Sequence, residues 1–154
     1  MPSDSAADPE TEVRGIAAPE SWADAEARYD ALGTTAQSVV RETARAMEFD
    51  RAEYDDRVTG EVVETAREAL FAETLAVRVA DRGTFDAWRE TYSGDVRIAG
   101  SDNVSGVAWH VSPAASSAVA ATFENEPDAA VGTVRRMAFN RLYRERLASE
   151  AADD

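Results

Sequence analysis

The spacing of the hydrophobic residues changes twice along this chain, and those changes bound the folds open to it. Before residue 73 apolar side chains recur every three or four positions, as on one face of a helix. In "TLAVRVAD" they begin to alternate, with Leu75, Val77 and Val79 on one side and Arg78 on the other. "DVRIAG" is a brief strand, and "GVAWHV" alternates again with Val107, Trp109 and Val111 together. "AVAATFE" suits a strand or an Ala-rich helix, and is taken as a strand because "SPAASS" before it suits a hairpin connection. From Pro127 the helical spacing returns and is expected to hold to about Leu147. Helices kept apart from a sheet imply an α+β fold. The expected architecture is a helical N-terminal half, a small three- to four-stranded mainly antiparallel sheet, and a long C-terminal helix packed on it.

Boundaries follow from capping chemistry. Ser21 stands three before Asp24, Asp50 three before Glu53, and Thr59 precedes "GEVVETAREALFA". Each places a side-chain oxygen where the first free N–H groups of a helix need an acceptor. Gly33 is read as the stop of the first helix, with a second beginning at "TAQSVVRETARAMEF". Residues 1–18, rich in Pro, Ser, Ala and acids, are expected to form a disordered acidic tail, and 149–154 a second tail. Residues 19–148 are then one α+β domain.

Charge narrows the setting. The chain of 154 residues has net charge −14, with 30 acids and 16 basic residues, every one of them arginine. At about 1 M salt the Debye length falls to about 3 Å, so repulsion among surface carboxylates is screened while they keep the protein hydrated. Arginine, weakly hydrated and able to bind carboxylates bidentately, suits partly buried pairs. The composition therefore points to a protein of a salt-accumulating halophile. There is no cysteine, which removes disulfides, thiolate nucleophiles and cysteine-based metal sites. The sole histidine, His110, rules out a two-histidine metal site within one chain. The N-terminus lacks the apolar core of a signal peptide, and no stretch approaches the roughly 20 apolar residues of a spanning helix. A cytoplasmic protein is expected, without membrane contact, metal or cofactor.

Three features could carry function. His110 alternates away from Trp109, toward a sheet face read as Arg78, Arg97, Ala99, Ala108, Ala118 and Ala120. Open, that face would be a shallow cationic platform; covered, its alanines would admit a helix or a second copy of the sheet. The last helix carries Arg135, Arg136, Arg141, Arg144 and Arg146. On a helical wheel Arg135 falls inside the apolar arc of Val131, Ala138, Phe139 and Leu142. A buried lone cation would cost several kcal/mol, so Arg135 is expected to pair with a carboxylate or to serve at an anion cleft. Phosphate affinity falls steeply with salt, which argues against nucleic acid as a partner.

Three strings, "YDALGTTAQSVVRETARAMEFDRAEYDDRVTGEVVETAREALF" (29–71), "GVAWHV" (106–111) and "VRRMAFNRLYRERL" (134–147), resemble a haloarchaeal family of small acidic proteins of unknown function. The resemblance covers most of residues 22–147. It implies a source and a class, and no activity or site residue. The expected function is a non-enzymatic interaction or self-associating domain, with a homodimer or a protein partner. The alternative is a small anionic-ligand-binding protein or enzyme using Arg78, Arg97, His110 and Arg135. A weaker alternative is a nucleic-acid-linked regulator.

Overall fold

The computed structural model describes residues 11–152. Its elements are β1 (Glu12–Arg14), α1 (Trp22–Ala46), α2 (Arg51–Arg57), α3 (Gly60–Thr74), β2 (Val77–Asp81), α4 (Arg82–Thr91), β3 (Asp95–Ala99), β4 (Gly106–Ser112), β5 (Ser117–Phe123) and α5 (Pro127–Ala138). A π-helical turn at Phe139–Tyr143 joins α5 to α6 (Arg144–Ala152). The fold is α+β, as the change of spacing requires.

The helix starts fall where the caps predicted. Ser21 accepts from the Asp24 N–H at 3.1 Å, and Thr59 from Val62 at 3.2 Å. Asp50 and Glu53 form a reciprocal capping box. The expected stop at Gly33 is corrected: α1 runs through it to Ala46. Its buried residues Ala25, Tyr29, Ala36, Val40 and Ala44 keep one stripe in phase across the glycine. The helix is closed instead just beyond its C-cap Met47, where Glu48 takes the left-handed region at φ 57°. There the Phe49 N–H reaches Ala44 O and the Glu48 N–H reaches Arg45 O, the paired bonds of a Schellman closure.

The sheet has five strands in the order β1-β2-β4-β5-β3. Three neighbouring pairs are antiparallel and β3–β5 is parallel, so the sheet is larger and more mixed than expected. The extra strand comes from the segment read as tail. Glu12–Arg14 pair with Val77–Val79, and Ala17 is fully buried. Main-chain bonds hold that entry: Ile16 and Ala17 N–H donate to Thr74 O, and Ala76 N–H to Ala17 O. Arg14 pairs with Glu12 and with Asp128 of α5. Residues 1–10 of the expected tail lie outside the described residues. At the other end α6 continues to Ala152, so the second expected tail is helical through that residue; 153–154 are not described.

Two apolar clusters sandwich the sheet. On one face Val77, Val79, Ala108, Val119 and Ala121 pack against Ala130, Val131, Val134 and Ala138 of α5, with Phe71, Phe139 and Tyr143 behind them. On the other, Phe85 and Trp88 of α4 cover Trp109, with ring centroids 5.1 and 5.5 Å away.

Candidate functional site

The strand register decides the fate of the predicted platform. Arg78 pairs with Trp109, and Trp109 with Ala120. Directly paired residues share a face, so Arg78, Ala118 and Ala120 lie on the α4 side, opposite His110. His110 pairs with Val119, and Val119 with Arg97. Arg97 thus shares the face of His110 but stands two strands away, at the sheet edge. The cationic platform is corrected on both counts: its members are split between faces, and α5 covers the His110 side.

Arg78 is half-buried, and burial lowers its pKa from the ordinary arginine value. Arg135 projects from α5 onto the entry of β2. Its Nε donates to Leu75 O at 3.2 Å and its Nη1 lies 3.7 Å from Glu73. With its side chain 15% exposed, it is the paired seam arginine that the apolar arc required. Gly15 (φ +92°) runs so close that a Cβ there would lie 2.8 Å from the Arg135 guanidinium and 2.4 Å from Leu75 O. Only glycine fits that crossing.

His110 is fully buried and fully bonded. Its Nδ1–H donates to Ala76 O at 2.7 Å, and the Tyr143 hydroxyl donates to Nε2 at 2.8 Å. A carbonyl can only accept, so this tautomer is dictated by the partners. Ser112 hydrogen-bonds to Tyr143 and also accepts the Ala115 N–H at 3.1 Å. Burial pushes His110 down to about 4 and Tyr143 up to about 12. Arg78 and Arg135 add electrostatically to the first shift. The chain Ser112–Tyr143–His110–Ala76 therefore stays neutral across the physiological range. It ties the last helix to the sheet and presents no group to a solute. Sequence reasoning missed Tyr143, since helical spacing marks it only as apolar; the π turn rotates it onto His110.

Several hollows open on the described surface, two of them large. The first is a groove of about 570 Å³ among α1, α2 and α3. Val39, Val40, Ala44, Phe49, Val58, Val62, Ala66 and Ala69 line it, with Arg57 and Glu61 as its charged groups. Arg57 lies over the Phe49 ring at 5.6 Å. A smaller hollow shares Ala44 and Phe49 and adds Arg41, Arg45 and Tyr54. The second opening is a polar cleft of about 620 Å³ between β3, β5 and the π turn, lined by Arg97, Arg141, Asn140, Ser117 and Asp95. Among the described residues no three acidic or histidine side chains gather to hold a metal ion. No described helix is long and apolar enough to cross a membrane.

A five-stranded mixed sheet between a helical layer and a single covering helix, with its histidine locked inside, defines a small α+β domain whose surface carries an apolar groove and a polar cleft. The chain belongs to a family of unknown function, DUF5809, whose model matches residues 16–144. The match includes the three strings quoted above, apart from the last residues of the third. No curated protein and no solved structure matches the chain.

Proposed function

We propose that this is a non-catalytic interaction domain of a salt-rich cytoplasm, and that it pairs with a second copy of itself through the outer parts of α1, α2 and α3. The observation that carries this reading is the apolar groove. Three of the six exposed large hydrophobic residues of the described chain lie there: Val39 and Val62 line the groove and Tyr54 the adjoining hollow. Helix α2 has no buried residue at all, and α3 only Phe71. A two-helix layer with an apolar outer side gains most from a second layer, and two such layers make a four-helix arrangement. A two-fold axis at the groove sets the same patch against itself. It would bring the Arg41, Arg45 and Arg57 side of one copy toward the Glu61 side of the other. Two copies of charge −14 repel in dilute buffer and cease to do so at about 1 M salt.

Sedimentation over a wide concentration range, in dilute buffer and in about 1 M potassium chloride, tests this. The expected result is a reversible dimer strengthened by salt. Val62→Asp and Val39→Asp are expected to give folded monomers under the same conditions, with unchanged circular dichroism. A monomer at every concentration in high salt overturns the reading. So does a dimer that both variants leave intact, because its contact then lies elsewhere.

A further inference from the structure

We infer that the polar cleft between β3 and the π turn is a binding site for a small hydroxyl-bearing phosphate monoester. The case starts from pairing. Acids outnumber arginines nearly two to one in this chain, and half of the sixteen arginines have taken one: Arg14, Arg28, Arg45, Arg67, Arg82, Arg135, Arg144 and Arg146 are ion-paired. Arg97 and Arg141 have no acid partner among the described residues, yet they come from distant parts of the chain to line one cleft. Asp95 lines the same cleft and still forms no ion pair with either. The two guanidinium groups are left available to a ligand.

The π turn supplies the positioning. Its inner side is held by the Tyr143 hydroxyl on His110 and by buried Phe139. Its outer side carries Asn140 and Arg141 into the cleft. The extra residue of a π turn shifts the side chains that follow it round the helix axis, and such turns are frequent at functional sites. Arg141 thus hangs from a backbone whose opposite face is fixed, which lowers the ordering cost of binding. Arg97 is set by the parallel pairing of β3 with β5.

The donors select the ligand. Two planar guanidinium groups suit the oxygens of a phosphate dianion. The Asn140 amide adds an uncharged donor, while the Ser117 hydroxyl, which donates to Ala115 O, can only accept from a ligand. Val119 and Leu142 give the cleft an apolar side for a short carbon skeleton. Asp95, an acceptor only, matches ligand hydroxyls and disfavours a bare anion with none to offer. A volume of about 620 Å³ lies within the range of small-molecule sites. A neighbouring cleft farther along β3 and β5 shows the converse chemistry. It is lined by Glu124 and Glu126 with no arginine, so it repels the same ligand and serves as an internal control.

The full chain labelled with nitrogen-15 is titrated with glycerol phosphate, inorganic phosphate and acetate, each at constant ionic strength. Glycerol phosphate is expected to give saturable amide shifts at Arg97, Asn140, Arg141 and Ser117, with an affinity about tenfold above that of either other anion. Arg97→Gln and Arg141→Gln are each expected to weaken it by about tenfold or more, and Arg141→Lys to restore only part. Glu126→Gln is expected to leave it unchanged. Equal weak shifts with all three anions would mean general anion attraction and overturn the inference. So would full affinity in both glutamine variants, or saturation at residues outside the cleft. Sedimentation of the same variants is expected to match the wild type, which keeps this outcome separate from the fate of the proposed dimer.

Discussion

Phe71 and Phe49 belong to the same group of helices, and their surroundings differ completely. Phe71 is fully buried, with the rings of Tyr29, Phe139 and Tyr143 at 5.7, 6.0 and 5.3 Å in edge-on contact. It joins α1, α3 and the last helix at one point. Phe49 sits at the turn between α1 and α2, half-buried, with Arg57 over its outer face. The sheet side of the molecule is held by long-range apolar contact, aromatic edges and a closed chain of buried hydrogen bonds. The outer helical corner is held by local devices: a capping box, a Schellman closure, hydroxyl caps and ion pairs within single helices. Such local devices contribute about 0.5–2 kcal/mol each, and less for exposed pairs. The outer corner is the region of lower local stability, and it is also where the apolar groove opens.

That contrast predicts the largest single effect. Phe71→Ala removes the ring that three helices share, and is expected to cost about 3–5 kcal/mol of unfolding free energy. Phe49→Ala is expected to cost about 1 kcal/mol when measured on dilute protein. Denaturant unfolding of both variants checks the pair. Equal losses would mean that the two regions share one core.

How much of this was legible in advance depends on how far apart the interacting residues are in the chain. The caps at Ser21, Asp50 and Thr59 were readable because donor and acceptor stand three residues apart. Strands β2 and β4 were readable from alternation, and β5 from the hairpin connection before it. Strand β1 was not, since its three residues pair through the backbone with residues more than sixty positions on, and their side chains carry no period. The cationic platform failed for a similar reason. Alternation orders the residues within one strand, but the phase between strands is set by register, and one step exchanges the faces. Arg78 opposite Trp109 is that step. The pairing of Arg135 was anticipated from the cost of burying a lone charge. The cleft of Arg97 and Arg141 could not be, because the π turn that aims Arg141 leaves no mark in the hydrophobic spacing.

The buried histidine gives a second, somewhat smaller effect, and it sharpens the contrast by acting on the sheet side alone. An unfolded histidine takes a proton near pH 6.5, whereas His110 resists until about 4. Between those values the unfolded chain binds more protons, so stability falls as the pH is lowered. Full stabilisation is present above pH 6.5, and up to about 3 kcal/mol is withdrawn by pH 4. The carboxylates titrate in every variant, so the difference between wild type and His110→Gln isolates this contribution. The wild type is expected to show the steeper decline with acid in matched denaturant titrations. Parallel profiles would mean that His110 is protonated in the folded state as readily as in the unfolded one.

The smallest expected effect has the opposite sign and lies in the helix that spans both regions. Gly33 sits inside α1, four residues beyond buried Tyr29 and three before buried Ala36. Its φ is not in the left-handed region, since the positive-φ glycines of the described chain are Gly15 and Gly100. A Cβ at this position would meet the Arg67 guanidinium at 3.7 Å, an ordinary contact. Arg67 is already fixed there by Tyr29 O, Glu64 and Asp30, and lies over the Tyr29 ring at 4.4 Å. Nothing has to move, so Gly33→Ala should gain the difference in helix propensity, about 0.5–1 kcal/mol. Part of that gain comes from the unfolded chain, whose freedom alanine reduces. Thermal unfolding should show a higher midpoint, and amide exchange should slow most in the outer part of α1, where little else holds the helix. A loss of stability would mean that the Arg67 contact has no room for a methyl group. Slowing spread evenly along α1 would mean that its two halves open together, and the proposed difference between the regions would end at α2.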